Sequence, residues 1–105
     1  MKGLQPPNSL HLVAAHGWLE LGDHVAAFEE LEKIEPELRG HPDVLEVRAV
    51  IYAKAEKWDF CVEIGSALVR IAPERPSGWL KRSHALQQLG KTQDALQFSF
   101  KFAYI

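Results

Sequence analysis

The sequence contains a single cysteine, Cys61, among its 105 residues. A disulfide needs two thiols at a defined separation, so no bridge can form within the chain. This excludes the small secreted proteins whose folds are held together by several disulfides. We therefore expect a reducing compartment and a cytoplasmic location.

Long apolar runs are also missing. No stretch approaches the roughly 18 consecutive apolar residues that a membrane-spanning helix needs, so no membrane partner is expected. Residues 1–7 have neither the apolar centre nor the cleavage pattern of a signal peptide. The sequence predicts that they form a short disordered leader.

Charge of one sign is not in excess. The chain has 12 Lys and Arg residues against 14 Asp and Glu residues, a formal net charge of −2. A protein that binds nucleic acid needs a basic stripe to neutralise phosphates, and the dispersed cations here do not form one. We expect no nucleic-acid partner. The glutamates between residues 29 and 37 are interpreted as a solvated helix face.

Signatures of catalysis are absent as well. There is no phosphate-binding glycine loop, no His-Glu-x-x-His pair, no Cys-x-x-Cys and no Gly-x-Ser-x-Gly. The five histidines are scattered, since His11 and His16 are five residues apart and share no helix face, while His41 lies in a predicted loop. We expect no enzyme activity, no cofactor and no metal site.

A repeat of 34 residues is what the sequence does contain. The pairs Gly22-Asp23, Glu56-Lys57 and Gly90-Lys91 follow one another at this spacing. A period in this range is typical of repeat architectures. The register divides a single domain, residues 8–105, into repeats over residues 8–41, 42–75 and 76–105.

Each repeat has two amphipathic segments separated by a short turn, as in a helical hairpin. The predicted helices cover about residues 9–21, 24–35, 43–55, 58–71, 77–89 and 92–104. Gly22 and Gly90 suit the turns because glycine adopts positive φ without steric cost. The middle turn, Ala55-Glu56-Lys57, lacks this glycine, so we expect it to be a little strained or wider.

Residue size repeats with the same period. Small residues occupy the eighth and twentieth positions of the repeats: Ala15, Ala49 and Ser83, then Ala27, Cys61 and Ala95. Large residues occupy the eleventh and twenty-seventh: Trp18, Tyr52 and Leu86, then Ile34, Leu68 and Phe102. Small and large positions that recur together predict close helix packing, in which a thiol at Cys61 behaves as a buried small residue.

The 34-residue unit, its small positions, its aromatic eleventh position and its Gly-Asp or Gly-Lys turns resemble the tetratricopeptide repeat (TPR) family over nearly the whole chain. The resemblance implies an all-α fold, a right-handed α-solenoid of three helix-turn-helix hairpins. Two features depart from the family. The first repeat meets Pro36 early, which predicts a short second helix, and the seventh position is arginine at Arg48 and Arg82 instead of leucine.

In the family, the first helices of the repeats line a concave groove. The resemblance therefore implies a non-catalytic scaffold that binds a peptide or a partner helix in this groove. Apolar candidates for its floor and polar candidates for its edges are Leu12, His16, Glu20, Glu46, Val50, Lys54, Leu80, Lys81, His84 and Gln88. Members that bind acidic chaperone tails use several basic residues and asparagine, and Lys81 alone does not match that clamp.

An alternative function is self-association. The last predicted helix carries apolar residues directed toward where a fourth repeat would begin, and exposed aromatic side chains mark interaction sites. These candidates are Leu96, Phe100 and Tyr104. They predict a homodimer, or a partner that covers this end.

Overall fold

The computed structural model describes the backbone of residues 3–103 and the side chains of residues 3–91. The described part is all-α: five α-helices, one short 3-10 helix and no strand. The helices are α1 (Asn8–Glu20), α2 (His24–Leu31), α3 (Pro42–Lys54), α4 (Trp58–Ile71) and α5 (Pro76–Ala103), and the 3-10 helix (Pro36–Leu38) precedes α3. No helix in this part of the chain is both long and apolar enough to cross a bilayer.

The turns after α1 and α3 have equivalent backbone hydrogen bonds at positions 34 residues apart. After α1, the Gly22 N–H donates to the Leu19 carbonyl at 3.0 Å and the Asp23 N–H to the Trp18 carbonyl at 2.9 Å. After α3, the equivalent bonds run from Glu56 to Ala53 and from Lys57 to Tyr52, at the same distances. These bonds define a Schellman motif, which ends a helix with one left-handed residue.

The residue in the left-handed conformation is Gly22 in the first turn, with φ +81°, and Glu56 in the second, with φ +58°. The expected strain is confirmed, since a residue with a Cβ atom is disfavoured there. The turn after α3 is not wider than the turn after α1, because the same two hydrogen bonds close both.

A single cluster of buried side chains joins the first two repeats. Its members come from α1, α2, the turn after α2, and α3: Ala15, Ala27, Leu31, Ile34, Val44, Val47 and Ile51. The predicted small positions Ala15, Ala27, Ala49 and Cys61 and the large positions Ile34 and Leu68 are all buried. The size pattern therefore predicts the core of the first two repeats well.

The eleventh position does not behave as predicted. Trp18 is 40% exposed, whereas its counterpart Tyr52 is half-buried and stacks on Phe60 at a ring-centroid distance of 5.1 Å. The residue equivalent to Phe60 in the first repeat is Ala26, which has no ring for Trp18 to stack on. The burial expected of Trp18 is wrong for this reason.

The third repeat differs most from the prediction. The helices expected over residues 77–89 and 92–104 are one helix, α5, which passes through the predicted turn at Gly90-Lys91. Glycine permits a left-handed turn but does not impose one, and Gly90 does not have a positive φ. Ser83, a predicted small position, is exposed, and Ala85 is fully buried in its place.

The first departure from the family pattern is observed, and contacts explain the second at Arg48. The α2 helix ends at Leu31 and is short, as predicted from Pro36. Arg48 is buried because its Nη2 is 3.2 Å from Glu32 Oε1 and its guanidinium lies over the Phe28 ring, at 5.5 Å. An ion pair and a cation–π contact thus replace the apolar packing of leucine.

The predicted leader is described from Gly3. Leu4 packs against the core cluster, and the peptide bond between Pro6 and Pro7 is cis. Asn8, the first residue of α1, is buried, and its Oδ1 accepts a hydrogen bond from the Glu35 N–H at 3.1 Å.

Candidate functional site

One concavity lies between the first helices of the three repeats. It has a volume of about 350 Å³ and is lined by Leu12 and His16 of α1, by Asp43, Glu46, Val47 and Val50 of α3, and by Ser77 and Lys81 of α5. We call this concavity the groove. Five predicted site residues, Leu12, His16, Glu46, Val50 and Lys81, meet here. Residues far apart in sequence come together because α1, α3 and the start of α5 each contribute to one surface.

A second concavity, of about 230 Å³, adjoins the groove through Lys81, which lines both. Its other predicted residues are Leu80 and His84, joined by Ala53 and by Trp58 of α4. The His84 ring meets the Trp58 ring edge-on, at a centroid distance of 5.4 Å. His84 therefore takes part in packing between α4 and α5 as well as in lining a concavity.

Three predicted site residues line neither concavity. Glu20 and Lys54 are exposed near the ends of α1 and α3, and Gln88 is half-buried on α5. The side chains of Leu96 and Phe100, and the whole of Tyr104, lie outside the described residues.

The acidic edge of the groove is bound by residues of its own chain. The Arg75 Nη1 atom is 2.8 Å from Asp43 Oδ1 and 3.4 Å from Glu46 Oε1, and the Ser77 hydroxyl donates to Glu46 Oε1 at 2.5 Å. The hydrogen bond to Asp43 is the main cause that raises the pKa of Arg75. These carboxylates are therefore partly neutralised.

The basic side chains of the groove, Lys81 and His16, are not engaged in the way the carboxylates are. Within the described residues, Lys81 makes no hydrogen bond or ion pair, and neither does His16. Both side chains face the groove lined by Leu12, Val47 and Val50. The groove thus combines an apolar floor with an available ammonium group.

Arg75 and Trp58 were missed by reasoning from the sequence, and so was the hydrogen bond from Ser77 to Glu46. Arg75 comes just before α5, and Ser77 is the second residue of α5. The sequence signal for their contacts is the spacing from Asp43 and Glu46, which is 29 to 32 residues in the three contacts. Opposite charges close to one repeat length apart indicate contact between adjacent repeats. Trp58 lies on α4, outside the helices that the family resemblance assigns to the groove.

An apolar hollow of about 360 Å³ lies elsewhere on the surface, between α2, α3 and α4. Its lining includes Val25, Phe28, Tyr52 and Phe60. None of the predicted site residues lies there.

The single thiol shows no sign of reactivity. Cys61 is buried, its Sγ donates to the Ala49 carbonyl at 3.7 Å, and burial raises the pKa of the thiol. A raised pKa lowers the fraction of the nucleophilic thiolate at neutral pH. Among the residues described, no group of three or more His, Cys, Asp or Glu side chains could hold a metal ion.

No protein-family model matches the chain, and neither a curated protein nor a solved structure matches it.

Proposed function

We propose that the chain is a non-catalytic interaction module of the tetratricopeptide type, and that it binds a peptide segment of a partner protein in the groove. The observation that carries the proposal is the meeting of Leu12, His16, Glu46, Val50 and Lys81 in one concavity. The tetratricopeptide assignment is supported by the size pattern of the repeats and by the two Schellman turns spaced 34 residues apart.

The groove favours a partner of definite chemistry. Leu12, Val47 and Val50 form a floor that can accept an apolar side chain, and a few buried anchors of this kind carry most of the energy of peptide binding. The Lys81 ammonium group lies at the edge without an ion-pair partner among the described residues. We therefore expect a peptide in which an acidic residue lies close to an apolar anchor.

The volume of the groove agrees with a side-chain anchor. About 350 Å³ is at the small end of the range of ligand pockets, and the adjoining concavity of about 230 Å³ extends the surface along α5. An extended segment that places one side chain in each concavity would pass over Lys81, the residue the two concavities share.

The test begins with selection of peptides from a displayed library on the parent protein, followed by titration of the selected peptide. Val50→Glu should weaken binding at least about tenfold, because a charge replaces the apolar floor, which corresponds to about 1.4 kcal/mol. Lys81→Glu should also weaken binding and should reverse the preference for acidic peptides.

The matched control is Lys57→Glu, which makes the same charge change outside both concavities. Circular dichroism checks that each variant keeps its helicity. If the selected peptide binds all three variants equally, or if the library yields no binder, the groove is not the binding site.

A further inference from the structure

The side of α1 that faces away from the core is apolar. Its large residues are Leu10, 63% exposed, and Leu21, 78% exposed, which directly follows the helix. Between them lie Ala14, half-buried, and Gly17, exposed. Residues three and four apart share one side of a helix, so these four positions form a single stripe along it. We call Leu10, Ala14, Gly17 and Leu21 the α1 stripe.

The equivalent stripe is covered in both later repeats. On α3, the counterparts of its first and third residues are Val44 and Ile51, which are buried in one cluster with residues of α1 and α2. On α5, the counterparts are Gly78 and Ala85, which are also buried. The described residues before α1 leave the α1 stripe open, because Leu4 packs against the core cluster instead. The stripe is therefore a position where a neighbouring helix packs in the other repeats and where none packs on α1.

Gly17 indicates what kind of contact the α1 stripe makes. Glycine within a helix is destabilising relative to alanine, so it needs a reason in packing. A Cβ atom built on Gly17 would meet no heavy atom within 4 Å, so no contact within the described chain requires a glycine there. Small residues allow two helix backbones to approach closely. Gly17 is therefore suited to a close contact with a helix of another molecule.

The α1 stripe reads the same in both directions. The residue sizes are large, small, small and large, at spacings of four, three and four residues. A two-fold interface brings the same patch of both copies together, so the patch has to be complementary to itself. With the axis midway between Ala14 and Gly17, two antiparallel stripes place Leu10 of one copy against Leu21 of the other. Ala14 then meets Gly17 at the centre, where the two backbones come closest.

The distribution of charge also favours a second copy. Residues close to a two-fold axis face their own equivalents, so a charged residue there would meet a like charge. The α1 stripe contains no charged residue, and Val13 and Trp18, which flank it on the helix surface, are apolar. Glu20 is the only acidic residue of α1 and lies near its end, away from the axis.

We propose that two copies of the chain associate about a two-fold axis through antiparallel α1 helices, which cross closely at Ala14 and Gly17. This surface is separate from the groove, because Leu12 and His16, which line the groove, lie on another side of α1. The association is therefore independent of peptide binding.

The size of the contact predicts its strength. The α1 helix has 13 residues, so it is about 20 Å long and about 10 Å wide. One face of such a helix is smaller than the roughly 800 Å² per partner of a standard interface. The dimer should accordingly be weak and dissociate on dilution, so unfolding of dilute samples reports the single chain.

Sedimentation equilibrium of the full chain, from micromolar to millimolar concentration, measures the association. The mean mass should rise from the 11.8 kDa of one chain toward twice that value. Leu10→Glu and Leu21→Lys should each keep the mass of one chain over this range, because each places a charge against a leucine of the other copy. Both changes favour the helix, since α1 has no acidic residue in its first turn and no basic residue in its last.

The double variant, Leu10→Glu with Leu21→Lys, tests the antiparallel arrangement. The introduced carboxylate of each copy then meets the introduced ammonium group of the other, so association should return. A parallel pair would bring like charges together and would stay dissociated. The two positions are eleven residues apart, about 16 Å along the helix, so they cannot pair within one chain.

Gly17→Leu tests the close crossing. Leucine favours helix more than glycine does, and the surroundings within the chain are open, so the fold should be retained. The variant adds apolar surface, yet it should keep the mass of one chain, because the two backbones can no longer approach. The matched control is Leu86→Glu, at a leucine of α5 that is 48% exposed, which should associate as the parent does. Circular dichroism checks the helicity of each variant.

Three results would overturn the proposal. The first is a parent that keeps the mass of one chain up to its highest soluble concentration. The second is a Gly17→Leu variant that associates as strongly as the parent, since the contact would then not need a glycine. The third is a double variant that associates no more than the Leu10→Glu or Leu21→Lys single variants.

Discussion

Glu56 has the left-handed backbone conformation that ends α3, with φ +58°. For an L-residue with a Cβ atom this conformation costs about 1–2 kcal/mol. The equivalent position after α1 is Gly22, for which the conformation has no steric cost. The same turn is therefore made with strain in the second repeat and without strain in the first.

Exchange of the two residue types should change stability in opposite directions. Glu56→Gly should stabilise the fold by about 0.5–1 kcal/mol, since relief of strain exceeds the added entropy of the unfolded chain. Gly22→Ala should destabilise it by about 1 kcal/mol. Urea unfolding at neutral pH measures both changes. Equal midpoints for both variants and the parent would contradict the strain at Glu56.

Glu30 joins α1 to α2 through its carboxylate. Its Oε1 is 2.9 Å from His11 Nδ1, and its Oε2 accepts from Lys33 Nζ at 3.0 Å. The hydrogen bond to His11, followed by that to Lys33, lowers the pKa of Glu30 below its ordinary value of 4.5. The bonds favour the charged carboxylate, so they stabilise the fold only where Glu30 is ionised.

Because the pKa of Glu30 is lowered in the folded state, its contribution to the free energy of unfolding grows as the pH rises. The contribution of Glu30 is fully present above the unfolded pKa, near 4.5, and is lost as the pH falls through the lower folded value. Glu30→Gln should therefore be less stable than the parent at pH 6, and the difference should shrink toward pH 3. Thermal unfolding across this range measures it. Glu29→Gln, at an exposed neighbour, should show no such trend.

At the scale of the helices, two glycines have opposite surroundings. A Cβ atom on Gly17, within α1, would meet nothing within 4 Å, whereas one on Gly65, within α4, would lie 2.8–3.0 Å from Arg82 of α5, including its backbone. Gly65 thus allows α4 and α5 to approach closely. Gly17 has no such role within the described chain.

The same substitution should separate these two roles. Gly17→Ala should stabilise the fold by up to about 1 kcal/mol, the difference in helix propensity. Gly65→Ala should destabilise it by about 1–3 kcal/mol, because α5 has to move away from the new methyl group. Denaturant unfolding gives both values. Stabilisation by Gly65→Ala would show that the contact between the two helices is looser than described.

A second pair of variants tests whether equivalent positions on α1 and α3 are buried. Val47 on α3 is 2% exposed, while Val13, its counterpart on α1, is 67% exposed. Val47→Ala should cost about 2 kcal/mol through lost burial and the cavity it leaves. Val13→Ala should change the unfolding free energy by less than about 0.5 kcal/mol. A large loss on Val13→Ala would indicate that α1 is covered in solution.

The sequence predicts α1 to α4 to within a few residues, apart from the shorter α2, because each is bounded by a turn or by a proline that acts locally. It does not predict the single helix α5. Gly90 and Lys91 are compatible with a turn, but neither Asp at the N-cap, as at Asp23, nor packing against the described residues enforces one. Whether a lone glycine ends a helix depends on contacts made by the following segment.

For the whole molecule, the register brings five of the ten residues predicted for the groove into one concavity. Leu12, Val50 and Lys81 meet there because the first helices of successive repeats lie side by side. The sequence could not show that Arg75 and Ser77 engage the acidic edge, since both belong to the junction between repeats. Ion pairs across such a junction depend on side-chain geometry and not on the period.

The continuous α5 makes the molecule long. Its principal extents are 61, 29 and 21 Å, and its radius of gyration is 16.3 Å, whereas a compact domain of this length has a radius of about 13 Å. A hairpin closed at Gly90 would shorten the long axis. The radius of gyration therefore reports whether α5 is straight in a single chain.

Small-angle X-ray scattering on the fraction with the mass of one chain, isolated by chromatography at low loading, measures this radius. The parent and Gly90→Ala, which favours helix at this position, should both give about 16 Å, because neither ends α5 at residue 90. Lys91→Asp with Thr92→Pro supplies an N-cap residue and a proline at the first position of a new helix, so it should end α5 near Gly90. Its radius should be about 13 Å, as expected of a compact domain. A parent radius equal to that of the closed variant, with Gly90→Ala alone extended, would place a turn at Gly90 in the free chain. The straight helix would then require the alanine.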